Sequence, residues 1–214
     1  MLHTALLAAM LSRSPGGSAC TEPPRIAWAV MAAHGVVAED ASVPLAAIQE
    51  AVRQRGGIPA HPPLGFYVGS FAHDVAVRTA KRISPDGSRC GYLTTVLVRL
   101  ALVDRTVEVA RDLKGDPCFF EAAVEHYRKH AAADDATLST FVQIVREALA
   151  EAWPRIEADL AASASTASET AIRRVVEPVV DRALEGVEQV RAEASSAVDG
   201  TREVRHLAAA CPRS

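Results

Sequence analysis

Hydrophobic residues in the first half of the chain recur in short runs with the two-residue alternation that is typical of β-strands. This pattern predicts a short helix over 43–55 and strands over 25–33, 66–83, 92–103 and 106–110. Asp104 and Arg105 separate the last two strands, which predicts a tight hairpin, although the glycine that such turns prefer is missing.

The second half of the chain has the spacing of amphipathic helices. Asp116 followed by Pro117 predicts a helix start, because a carboxylate caps free N–H groups and proline is tolerated in the first turn. No proline or glycine follows before Pro154, so the helix either continues past Asp134 or restarts there. A further apolar stripe predicts a helix over 171–198, with Pro178 as a place where it can kink.

These elements predict an α+β fold in which a small antiparallel sheet packs on the helix that carries His126 and His130, and a long C-terminal helical region follows. The predicted organisation is a signal peptide over 1–19, an α+β domain over 20–153 and a C-terminal helical region over 154–214 that packs on the same domain. A small-residue stretch over 161–170 predicts a flexible link or a weak helix, and a last short helix is expected over 204–210.

The composition is that of a globular protein, with 49% hydrophobic and 23% charged residues and a net charge of −3. Charges of both signs are interspersed, so we expect neither nucleic acid nor an anionic membrane surface as a partner. The apolar runs are also too short to cross a bilayer as helices.

The four cysteines, at positions 20, 90, 118 and 211, form no C-x-x-C pair, so a four-thiolate zinc site is not expected. Three pairings are possible, and we favour Cys90–Cys118 with Cys20–Cys211; four free thiols are the alternative. Paired cysteines require an oxidising compartment. A short apolar run over 4–11, followed by small residues before Cys20, is typical of the end of a secretory signal, which predicts a periplasmic or secreted protein.

The candidate chemistry lies on the helix that begins at Pro117. His126, His130 and Asp134 are four residues apart, a spacing that stacks side chains along one helix face, and two imidazoles with a carboxylate are ligands that zinc accepts. Tyr127 occupies the position of the general base in the H-E-x-x-H metalloprotease signature, and Glu125 lies about 100° away around the helix. Two exposed histidines on a solvated face are the alternative interpretation.

The order of these landmarks resembles a family of uncharacterised secreted bacterial proteins of the zinc-protease-like (zincin-like) type. Cys90-Gly91-Tyr92 is followed by the segment 104–111, then by Cys118 and by the helix of His126-Tyr127-Arg128-Lys129-His130, and the similarity covers 20–211. The resemblance implies that His126 and His130 are zinc ligands and that Asp134 is the third, while Tyr127 replaces the catalytic Glu.

Three functions follow as hypotheses. The first is a degenerate zinc metalloprotease of the envelope or exterior that keeps a metal site and binds a peptide or protein. The second is an active zinc metallopeptidase in which Glu125 or Glu121 has become the base. The third is a structural or interaction protein that uses the 171–198 helix and needs no metal.

Overall fold

The computed structural model of the chain describes residues 25–54, 63–83, 87, 89–162, 169–200 and 211. The α+β class is confirmed, with a mixed sheet, a long helix and further helices after it. In chain order the elements are β1 Ala27–His34, β2 Ala38–Asp40, α1 Leu45–Gln54, β3 Gly65–Ile83, β4 Arg89–Val109, a 3₁₀ turn Arg111–Gly115, α2 Pro117–Ala162, α3 Glu169–Ala183 and α4 Val187–Val198.

The sheet is organised around β4, which pairs with every other strand. β3 lies antiparallel along one edge of β4, whereas β1 and β2 both pair with β4 in parallel, at Thr95–Leu102 and Thr106–Glu108 respectively. β3 runs along nearly the whole of β4, so β1 and β2 follow one another along the opposite edge. The predicted all-antiparallel sheet is therefore corrected to a mixed one.

The predicted hairpin at Asp104-Arg105 is wrong, because β4 is one continuous strand of 21 residues. Val68 pairs with Thr106 and Ser70 with Val103, so Asp104 and Arg105 together face Gly69. Asp104 has a φ of 52°. This is a β-bulge, in which one strand carries an extra residue and turns locally without ending. The polar dipeptide that suggested a turn marks the bulge instead.

The bulge includes Arg105, which is buried and donates four hydrogen bonds. Its guanidinium donates to the Tyr67 hydroxyl at 3.1 Å and to Asp135 Oδ2 at 3.0 Å. It also donates to two backbone oxygens, of Gly35 and Ala131, each at 3.0 Å. A buried cation must be paired, and the partners of Arg105 lie on different elements. These bonds therefore join the sheet to the middle of α2.

Helix α2 begins where the sequence predicts and runs without a break through Asp134 and Pro154 to Ala162. Asp116 Oδ1 caps its start by accepting from the Phe119 N–H at 3.2 Å. Its apolar stripe is fully buried and packs with β4 and α3 in one core, of which the principal α2 residues are Leu138, Phe141, Val145 and Leu149. The boundary proposed between 153 and 154 thus falls inside a helix.

The predicted single helix over 171–198 is two helices, and the break is not at Pro178. Pro178 lies within α3, whereas Gly186 adopts φ 83° and begins α4. A left-handed backbone favours glycine, which explains why the chain turns here. Ile172, Val176 and Val180 of α3 enter the core, so the α3 part of the apolar stripe packs on the domain, as expected, whereas Val190 of α4 is 39% exposed.

The expected signal peptide, Cys20 and the short helix over 204–210 lie outside the described residues, as does most of the expected link over 161–170. Within the described part of the chain, no helix is both long and apolar enough to cross a bilayer.

Replacing Gly65 with alanine should destabilise the fold strongly. A Cβ at Gly65 would lie 2.1 Å from the Glu108 carbonyl oxygen and 2.7 Å from Tyr127 Cε2, so backbone and ring would both have to move. We expect Gly65→Ala to lower the free energy of unfolding by about 3 kcal/mol in urea titrations.

Gly91→Ala is the matched control, because it is also a strand glycine but its Cβ would meet nothing within 4 Å. Equal effects of the two substitutions would contradict the packing of Tyr127 on the start of β3.

Candidate metal centre

Two helices meet along a line of polar side chains that we call the α2–α4 seam. On α2 it comprises His126, His130 and Asp134, and on α4 and its C-terminal end it comprises Arg191, Ser195 and Asp199. Each set has a spacing of four residues, which places its members on one helix face. Asp134 contacts Arg191, His130 contacts Ser195, and both histidines contact Asp199. The two helices therefore run antiparallel, and each seam residue of α2 contacts a seam residue of α4 or of its C-terminal end.

Three atoms of the seam converge as metal ligands do. His126 Nε2 and His130 Nε2 are 3.4 Å apart, and Asp199 Oδ1 lies 3.3 Å from the first and 3.1 Å from the second. Ligand atoms around a tetrahedral zinc ion at about 2.0–2.1 Å are separated by about 3.3–3.4 Å. The triangle thus has the size of one face of such a coordination shell, and the His126–His130–Asp199 group could hold a metal ion.

The third member of this group corrects the sequence prediction. Asp134 lies on the expected face of an unbroken helix, but both of its oxygens accept from Arg191, at 3.0 Å from Nε and 2.7 Å from Nη2. The Tyr67 hydroxyl also contacts this carboxylate. Asp199, a residue far away in sequence, supplies the oxygen beside the imidazoles, so Asp134 pairs with α4 and lies outside the converging group.

The two imidazoles differ in whether the Nδ1 atom has a hydrogen-bond partner. His130 Nδ1 is 2.9 Å from Ser195 Oγ, so Nδ1–H can donate to the hydroxyl while the Nε2 lone pair faces the centre. His126 Nδ1 is buried and has no hydrogen-bond partner within the described residues. Both rings are buried, with side-chain exposures of 7% and 8%, while the Asp199 side chain is 59% exposed. The centre therefore lies at the edge of the protein.

The charge of Asp199 suits a cation. Burial raises the pKa of the Asp199 carboxyl, but its hydrogen bonds and electrostatic interactions with His126 and His130 outweigh burial and hold that pKa well below its usual range. The carboxyl is therefore ionised over the physiological pH range, as a ligand carboxylate must be.

None of the three residues considered as a general base is part of the converging group, and Glu121 is exposed. The Tyr127 hydroxyl accepts from the Gly65 N–H at 3.0 Å, and burial raises the pKa of Tyr127 to about 12. Its ring belongs to the small apolar cluster between α2 and the sheet. Glu125 is exposed and is not part of the converging group. Tyr127 is thus a packing residue that remains protonated.

Both predicted disulfides are wrong, because Cys118 is bonded to Cys211. This bond joins the first turn of α2 to the segment that follows α4, closing a loop whose ends are 93 positions apart. In the chain-entropy model, a disulfide that closes such a loop stabilises the folded protein by about 4–5 kcal/mol, because it restricts the unfolded chain. The bond therefore ties together the same two parts of the chain that meet in the seam.

A sequence signal for Asp199 existed but lay outside the motif. Arg191, Ser195 and Asp199 repeat the four-residue spacing of His126, His130 and Asp134, and two polar stripes of equal period can pair across helices. What the sequence could not show is that α4 folds back on the first half of α2.

Comparisons with protein-family models, with curated proteins and with solved structures found no match to this chain. The conclusions about the centre therefore depend on its own geometry.

Breaking the Arg191–Asp134 pair should destabilise the folded protein. The two side chains are only 13% and 9% exposed, so removing the cation leaves a buried carboxylate uncompensated. We expect Arg191→Met to lower the free energy of unfolding by about 3 kcal/mol, whereas the double variant Asp134→Leu/Arg191→Leu should recover most of this loss.

Arg173→Met is the matched control, since Arg173 pairs with Glu169 and Glu177 on an exposed face of α3 and such pairs contribute little. If denaturant titrations give both arginine variants the same stability, the seam does not hold α4 in place.

Proposed function

We propose that this protein is an exported zinc-binding domain of zincin-like type that has lost its general base and binds a peptide or protein without cleaving it. The observation that carries the proposal is the triangle of His126 Nε2, His130 Nε2 and Asp199 Oδ1, with edges of 3.1–3.4 Å. Side chains from distant parts of the chain meet there at the spacing of a zinc coordination shell.

The donor set favours zinc over the harder cations. Two imidazole nitrogens and one carboxylate oxygen suit a borderline ion with tetrahedral geometry, whereas magnesium and calcium prefer shells made of oxygen. Three protein ligands leave one position for an exogenous group, as in catalytic zinc sites. A bound zinc ion would supply a Lewis acid able to polarise a carbonyl oxygen.

Loss of hydrolysis is proposed from the residues around the centre. Tyr127 stays protonated because its pKa is about 12, and its hydroxyl is engaged by the Gly65 N–H. Glu125 points to solvent outside the group. This arrangement disfavours the alternative of a peptidase with a rearranged base, and it leaves ligation of a peptide carbonyl or carboxylate as the remaining role.

Export is supported by the Cys118–Cys211 disulfide, since such bonds persist in oxidising compartments. The alternative of an interaction protein that uses the 171–198 helix has less support, because the apolar stripe of α3 is buried in the core and α4 faces α2 through polar residues.

Zinc titration by calorimetry should show one site per chain in the wild-type protein. His126→Ala and His130→Ala each remove one of three ligands, so we expect at least about a hundredfold loss of affinity. His73→Ala is the control, because His73 lies on β3 in a surface contact with Asp181. Wild-type protein that takes up less than about a tenth of an equivalent of added zinc would contradict the proposal.

The zinc-loaded protein should not cleave a casein-type substrate faster than the His126→Ala variant does, because no described residue of the centre serves as a general base. The assay is the release of acid-soluble peptide with and without a chelator. Chelator-sensitive turnover that disappears in His126→Ala would instead support the active peptidase.

A further inference from the structure

We infer that the Cys118–Cys211 disulfide regulates the metal centre, so that its reduction weakens zinc binding and zinc in turn protects the bond from reductants. This inference rests on the proposed zinc-binding function. It follows from the way in which the disulfide and the centre join the same two parts of the chain.

The disulfide and the centre are two crosslinks between α2 and the C-terminal segment. On α2, Cys118 precedes His126 by eight residues, or about 12 Å of helix. On the other side, Asp199 and Cys211 are twelve positions apart in sequence. One crosslink keeps the two parts close and so raises the effective concentration of the ligands for the other.

Few other interactions of α4 hold Asp199 near the imidazoles. None of the described residues of α4 is a buried apolar residue, in contrast to α3, which inserts Ile172, Val176 and Val180 into the core. Among the described residues, only the partly buried Val187 at the start of α4 packs against the core, and the other contacts of α4 are polar: Arg191 with Asp134 and Gly69, and Ser195 with His130. A helix held by polar contacts separates from its neighbour more readily than a packed one.

The exposed third ligand makes the centre sensitive to this restraint. Asp199 is the residue at which α4 ends, and its side chain is 59% exposed, whereas both histidines are buried on α2. When the Cys118–Cys211 bond no longer restrains the chain after α4, the imidazoles remain in place and Asp199 is the ligand that is held less closely to them. The reduced protein therefore has the lower zinc affinity.

The reductant is a dithiol or a phosphine. With a dithiol, the Cys118–Cys211 S–S bond breaks, each sulfur gains a hydrogen, and the two thiols of the reductant become a disulfide. With a phosphine, the two electrons come from phosphorus, which becomes a phosphine oxide with oxygen and two protons supplied by water. By reciprocity, zinc stabilises the oxidised form as much as oxidation favours zinc.

The test compares zinc affinity in the full-length protein and in Cys118→Ser/Cys211→Ser, which also prevents the freed thiols from binding zinc. We expect about a tenfold or greater loss of affinity in this variant. Cys20→Ser/Cys90→Ser is the matched control and should keep the wild-type affinity. Circular dichroism checks that each variant is folded.

A second measurement needs no cysteine variant. Wild-type protein is equilibrated in a dithiol redox buffer, and the fraction of Cys118 and Cys211 in the disulfide is measured by thiol trapping, with and without free zinc held at saturation. We expect zinc to raise the ratio of disulfide to reduced pair about tenfold in the wild type and to have no effect in His126→Ala/His130→Ala.

The two proposals fail in different ways. Equal zinc affinity with and without the disulfide, or an equal equilibrium ratio of disulfide to reduced pair with and without zinc in a protein that binds zinc, overturns the regulation and leaves the metal site intact. A wild-type protein that binds no zinc overturns the proposed function itself.

Discussion

The position of α4 depends on one buried ion pair, between Arg191 and Asp134. Arg191 donates two hydrogen bonds to the carboxylate and a third, at 2.8 Å, to the Gly69 carbonyl oxygen, so one guanidinium joins α4, α2 and β3. Since α4 buries no apolar residue among those described, the hydrophobic effect alone would not hold it there. The pair fixes where the helix lies, and the rest of the seam follows from that position.

The ion pair also fixes the register of the seam. Opposite charges at Arg191 and Asp134 align two helices whose polar residues recur every four positions, which brings Ser195 to His130 and Asp199 to both imidazoles. A slip by one turn would place Arg191 beside His130 and leave Asp134 unpaired in a buried position. Because an unpaired buried charge is costly, this register is strongly favoured over its neighbours. The converging triangle is therefore a consequence of the same pairing.

Sequence reasoning predicted the parts of this structure that depend on local patterns. The cap at Asp116, the unbroken apolar stripe of α2 and the four-residue spacing of His126 and His130 are all local, and the fold class follows from them. The errors concern contacts between distant segments. The bulge at Asp104 depends on β3 continuing past it, and the Cys118–Cys211 bond and Asp199 depend on the return of the C-terminal segment to α2. No local period encodes such contacts.

Tyr127 explains why the proposal separates metal binding from hydrolysis. The phenol packs beneath the start of β3 and accepts from the Gly65 N–H. It joins the helix to the sheet, and both imidazoles face Asp199 at the end of α4. The proposed role is therefore to bind a peptide and not to cleave it.

X-ray absorption at the zinc edge of the loaded wild-type protein tests the central claim most directly, in parallel with Asp199→Asn. The account predicts a shell with two imidazole nitrogens and one carboxylate oxygen at about 2.0–2.1 Å, and the loss or lengthening of that oxygen in the variant. A wild-type shell without imidazole scattering, or one that is unchanged by Asp199→Asn, would contradict it.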